Sequence, residues 1–262
     1  MFCDKIFKYL ILKKNIYFSF HEYTAFVRAH KISNELTSWL NEVKFEKVSL
    51  GQNCNSAWYL KSTKNKNASY PFDWVFSSSE IVQHAIRDHF NLFLNRVNIF
   101  SLTNENAGHN YYHSRMFNHK NPLDSNKKYT YYKRCVDRLL KLLENKTPTL
   151  FICFVINEPE KRIAWAKGFD KHFKLPKNQT LDTFEEMIEY IYRINPNSKF
   201  LFINQFTEGD IKLDYEIVTP NIIWIDFTSK GGNSGLKYLD PFDNELMRVI
   251  FNGLATNHEK IY

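Results

Sequence analysis

Cys54 is the side chain in this sequence most plainly set up for chemistry. It closes the run Lys47-Val48-Ser49-Leu50-Gly51-Gln52-Asn53-Cys54, in which a short apolar strand meets a glycine turn, and an amphipathic segment with Ala57, Trp58 and Leu60 follows it. A cysteine at the start of a helix feels unpaired backbone N–H groups and the positive end of the helix dipole, both of which favour the thiolate and lower its pKa. Backbone N–H groups around Gln52, Asn53 and Asn55 offer donors for an oxyanion, and Gly51 leaves room for a substrate. Those are the parts that nucleophilic acyl transfer needs. The same spacing also suits a small buried thiol at the cap of a packed helix, and spacing alone does not choose between the two.

Other polar clusters carry weaker signals. His109, His113 and His119, with Cys54 as a fourth donor, are chemically acceptable to zinc, but their spacing is irregular and no metal is expected. His84 and His89 fall on a helical segment and read as core-edge residues. The loop Ser229 to Gly235 has glycines but neither the Walker ending nor the Rossmann spacing, so it reads as a flexible loop bordering a substrate. No cofactor is expected. The basic run Lys61 to Lys66 is short and polar and reads as a solvated loop.

Composition sets the frame around these residues. The chain has 262 residues, a formal net charge of +7 and 44% hydrophobic content, enough for a substantial core. Its basic charge suits anionic partners but is spread along the chain, so nucleic acid is not expected as a partner. Cys3, Cys54, Cys135 and Cys153 lack paired spacings, which points away from a disulfide framework and toward a reducing, cytoplasmic setting. No run of about 18 apolar residues exists, so no transmembrane segment is expected. The run Phe2 to Phe20 is broken by lysines and lacks a cleavage site; it reads as a packing arm, with a peripheral basic membrane contact as the alternative.

The elements that must position Cys54 alternate in type. Residues 17 to 41 read as a helix and 44 to 50 as the first strand. Val82, Ile86, Phe90 and Phe93 after Ser77-Ser78-Ser79 predict a capped helix, and Tyr129, Tyr132, Val136, Leu139 and Leu143 a second. Thr149 to Val155 is apolar on both alternating faces, as in a central strand, which makes Cys153 a buried, inert thiol. Asp182 is expected to cap a helix ending at Asn195-Pro196; strands follow at 199 to 204 and 222 to 227, and a helix at 243 to 254. Val97 to Leu102 reads as a strand, and His109 to Phe117 as another or an ordered loop. Strands separated by helices imply an α/β three-layer sandwich with a largely parallel central sheet, spanning residues 45–262 after an N-terminal helical extension, 1–44. Ligands in such sheets bind beyond the C-terminal ends of the strands, where Cys54 lies.

Ser49-Leu50-Gly51-Gln52-Asn53-Cys54, then Tyr70-Pro71-Phe72-Asp73-Trp74, then Phe117-Asn118-His119 together resemble a bacterial and viral family of papain-like cysteine peptidases whose function is largely unknown. The likeness runs from about Val48 to His119 and implies Cys54 as nucleophile and His119 as general base. Lys120 follows His119 where the family often has an acidic residue, so no role is carried to that position. Asp73 is the candidate to orient the imidazole, or else a turn cap among core aromatics; Asp226 is the alternative carboxylate. The expected activity is that of a cysteine hydrolase or acyl transferase on a peptide, glycan or small-molecule substrate. The competing readings are a glycosyltransferase-like, polysaccharide-biosynthetic enzyme that binds a sugar nucleotide, and a non-catalytic binding module.

Overall fold

The computed structural model describes residues 19–158, 165–169, 172–173, 176, 178–207 and 210–255. The proposed packing arm up to residue 18, Cys3 and Pro159 lie outside them. In chain order the elements are α1 (Phe20–Trp39), β1 (Glu46–Gly51), α2 (Asn55–Ser62), α3 (Ser79–Arg87), β2 (Ile99–Ser101), β3 (Ala107–His109) and α4 (Asn126–Glu144). They continue with β4 (Thr149–Ile156), α5 (Glu185–Ile194), β5 (Ser198–Thr207), β6 (Lys212–Thr219), β7 (Ile222–Ser229) and α6 (Pro241–Asn252).

The central sheet has the order β1-β4-β5-β7-β6; its first four strands are parallel and β6 runs antiparallel at the edge. Every residue of β4 is buried, as its two-faced apolar sequence requires. Phe151, Cys153 and Val155 point into a core shared with α3, α4 and α5, while Leu150, Ile152 and Phe154 point into one shared with α1, α2 and α6. This is the three-layer α/β arrangement, with the ends of β1 and β4 opening at one edge of the sheet. The helices start where side chains can cap them: Ser78 accepts from the Ile81 N–H at 3.2 Å, and Asp240 from the Phe242 N–H at 2.8 Å ahead of Pro241.

Several elements depart from the sequence reading. The helix expected to run to Phe93 stops at Arg87, because His89 and Phe90 take positive φ of 50° and 59°. Phe90 and Phe93 nonetheless stay buried and pack on Phe72, so the apolar spacing reflects the core rather than a continuous helix. Asp182 is not a helix cap: Thr180 precedes a 3-10 turn at Leu181–Phe184, and α5 begins at Glu185. The strand expected from Val97 is a 3-10 turn at Arg96–Asn98 followed by β2, which pairs with β3 in a separate two-stranded sheet. Edge strand β6 was not anticipated; its Leu213, Tyr215 and Ile217 alternate with polar residues, and it packs against α1 on one face. Among the described residues, no helix is long and apolar enough to cross a membrane.

Candidate active site

The end of β1 is built around a residue that tolerates no side chain. Gly51 has φ +95°, and a Cβ there would sit 2.1 Å from Ser77 Oγ. That hydroxyl donates to the Leu50 carbonyl at 2.7 Å, and the Ser77 N–H donates to the Gln52 carbonyl at 3.2 Å, so the segment leading into α3 is tied to the strand end. Gln52 extends the pairing of β1 with β4: its N–H donates to Phe154 O at 3.2 Å and its Oε1 accepts the Ile156 N–H at 2.8 Å. Its side chain is also hydrogen-bonded to Gln179, which in turn donates to Ile156 O at 2.9 Å. Asn53 turns the chain by accepting the Asn55 N–H at 2.9 Å, and Ser56 Oγ donates back to Gly51 O at 3.2 Å.

Cys54 emerges from this turn as the residue before α2. It is 3% exposed, and its N–H donates to the Gly235 carbonyl at 3.0 Å. The glycine loop therefore borders the site, held there by Asn233, whose Oδ1 accepts from Gly235 N–H at 2.7 Å and from Asn55 Nδ2 at 3.1 Å. The expected helix-dipole lowering of the Cys54 pKa does not prevail. Burial, reinforced by the negative charge of Asp73, pushes the thiol up to about 12. A short helix supplies only a partial charge, whereas desolvation acts on the whole thiolate.

Cys54 and His119 line one cavity of about 270 Å³, together with Phe76, His113, Arg115 and Trp165, and Ser234 to Leu236 close another side. His119 is solvent-accessible at the rim, and its ring makes a T-shaped contact with Trp74, at 6.2 Å between centroids and 88° between planes. Partial desolvation lowers its pKa, and no hydrogen bond engages its ring among the described residues. The influences on Cys54 are burial and Asp73, and on His119 burial alone. In this conformation the pair is thus a neutral thiol and a neutral imidazole on a shared pocket.

His113 lines the same cavity but has no free nitrogen. Its Nδ1 accepts the Arg115 N–H at 3.0 Å, so Nε2 carries the proton and hydrogen-bonds to Trp165 O at 3.0 Å. Burial holds its pKa down at about 4. His109 is engaged likewise, with Nε2 on Leu92 O at 3.0 Å and Nδ1 accepting the Tyr111 N–H at 3.1 Å. These rings have no lone pair to spare for a metal, and among the described residues no group of three or more His, Cys, Asp or Glu is placed to hold one. His84 is a core-edge residue, its Nδ1 2.9 Å from the Tyr112 hydroxyl.

Asp73 is completely buried. Its Oδ2 accepts from Lys66 Nζ at 2.5 Å and from the Tyr70 N–H at 2.8 Å, while Oδ1 has no partner among the described residues. Burial raises its pKa against the pull of Lys66. These bonds clamp the Tyr70–Trp74 turn, and none runs to His119. Asp226 is exposed on β7 and accepts from Asn204 Nδ2 at 2.8 Å; Asn157 then links Asn204 to Gln179 and so to Gln52. Of the proposed oxyanion donors, the N–H groups of Gln52, Cys54 and Asn55 already have acceptors; that of Asn53 has none among the described residues. Arg115, Trp165 and Leu236 were not singled out from sequence.

Fold and site define an α/β protein that presents a cysteine at a strand-to-helix turn and a histidine on the same pocket. A family model described as "Putative papain-like cysteine peptidase" matches residues 45–210, a span that contains Cys54, Asp73 and His119. The chain belongs to this family. Comparison with curated proteins and with solved structures gave no significant match. At family level the class is that of a cysteine hydrolase.

Proposed function

We propose that the protein is a cysteine-dependent hydrolase or acyl transferase in which Cys54 is the nucleophile and His119 the general base. The observation that carries this reading is the shared cavity, lined by a thiol at a helix start and by a neutral imidazole that no described residue engages in a hydrogen bond. His119 takes the thiol proton as Cys54 Sγ attacks a substrate carbonyl, and returns it to the leaving group as the tetrahedral intermediate collapses to a thioester. Water, or an acceptor hydroxyl or amine, then releases the acyl group. The Asn53 N–H is one oxyanion donor; the Cys54 N–H becomes the second when the Gly235 carbonyl gives it up to substrate.

Asp73 acts here as a positioning residue. By clamping the Tyr70–Trp74 turn it fixes Trp74, whose T-shaped contact orients the His119 ring. The free thiols of Cys54, Cys135 and Cys153 suit a reducing, cytoplasmic setting. The test is hydrolysis of a panel of activated esters, thioesters and peptide amides. Cys54→Ala should abolish turnover, and His119→Ala should lower kcat by about a hundredfold or more. Full activity in either variant would refute the assignment.

A further inference from the structure

Among the described residues, Arg115 is the permanent cation of the Cys54 pocket. It lines the cavity with His119, is exposed, and makes no ion pair among the described residues. Its backbone N–H is anchored on the buried His113 ring at 3.0 Å, so the base of the residue is fixed, while the guanidinium hydrogen-bonds to no described residue. No aspartate or glutamate is among the described residues that line the pocket, whose walls at Phe76, Ile156, Trp165 and Leu236 are apolar. A guanidinium that pairs with no described residue offers a planar fork of donors to a carboxylate or phosphate. At about 270 Å³ the cavity is at the small end of ligand sites, suited to one side chain or a small molecule.

We infer that the substrate carries an anionic group beside an apolar one, and that Arg115 binds the anion while the apolar part lies against Phe76, Trp165 and Leu236. This rests on the reading of the pocket as the substrate site. It makes Arg115 the determinant of specificity, separate from the groups that carry the chemistry.

The test uses binding rather than turnover. Affinities of N-acetylphenylalanine, its neutral carboxamide and phenyl phosphate are measured by calorimetry or NMR on Cys54→Ala and on Cys54→Ala combined with Arg115→Gln or Arg115→Lys. The acid should bind about five- to tenfold tighter than the amide, as expected for an ion pair reinforced by charge-assisted hydrogen bonds. Arg115→Gln should bring the two together, and Arg115→Lys should restore part of the difference. Phenyl phosphate binding more tightly than the acid would support the same site and identify phosphate as the anion. Equal binding of acid and amide, a preference that survives Arg115→Gln, or no measurable binding of either anion would overturn the inference. Anion preference in a protein whose wild type shows no turnover would instead leave the Arg115 site standing and remove the hydrolase reading.

Discussion

Acid should destabilise this protein through His113, and the size of the effect follows from its surroundings. The ring is 2% exposed, with one nitrogen accepting the Arg115 N–H and the other donating to Trp165 O. A Cβ on Gly168 would come within 2.2 Å of it, so the ring cannot swing away without moving that backbone. Its pKa is held at about 4 in the folded protein, against about 6.5 for an unfolded histidine. Between those values the unfolded chain binds a proton that the folded chain refuses. Stability from the neutral ring is therefore fully present above about pH 6.5 and is lost as pH falls through the folded value. The interval corresponds to about 3 kcal/mol. His109, also buried with a lowered pKa, acts in the same direction. Urea unfolding at about pH 7 and about pH 4.5 should show wild type losing 2–3 kcal/mol more than His113→Gln over that range. The ring proton of His113 should titrate near pH 4 by NMR. A midpoint near 6.5, or an unchanged pH dependence in His113→Gln, would refute the reasoning and make His113 a rival to His119 as base.

Other perturbations probe the supports of the site. Gly51→Ala must hold a positive φ and displace Ser77 Oγ from the Leu50 carbonyl, and should cost about 2–4 kcal/mol in thermal or chemical denaturation; a loss under about 1 kcal/mol would mean that the strand end is not held as described. Lys66→Met leaves the Asp73 carboxylate buried without its cation and should cost about 3–5 kcal/mol. Because the folded pKa of Asp73 is raised, that loss should deepen as pH rises through it and ease in acid; a pH-independent loss would contradict the burial of charge. The Cys54 thiolate absorbance, read as the difference between wild type and Cys54→Ala, should appear only toward about pH 12 and shift lower in Asp73→Asn; no shift would separate Asp73 electrostatically from the thiol.

The layers of the fold were legible because periodicity records burial. Thr149 to Val155 announced a central strand by being apolar on both faces, and the spacing of Tyr132, Val136, Leu139 and Leu143 announced α4. Periodicity misled where a core contact outlives its element, as at Phe90 and Phe93, and an edge strand shielded on one face, β6, passed unread. Cys54 was legible as a residue and His119 through resemblance. The protonation state of Cys54 was not, since it depends on the tertiary burial that outweighs a local helix end. The Lys66 partner of Asp73 lies only seven residues away, yet in sequence it belonged to a basic run that reads as solvated. The loop Ser229 to Gly235, read as bordering a substrate, does line the pocket at Ser234 and Gly235, whereas Arg115 reaches it only through loop packing, which leaves no local pattern.

The central claim is tested most directly by trapping the covalent intermediate. Wild-type protein mixed with an activated acyl ester and quenched in acid should gain one acyl mass, localised by peptide mapping to Cys54. The adduct should be absent in Cys54→Ala and form far more slowly in His119→Ala. Acylation of another residue, or turnover that proceeds undiminished in Cys54→Ala, would contradict the account.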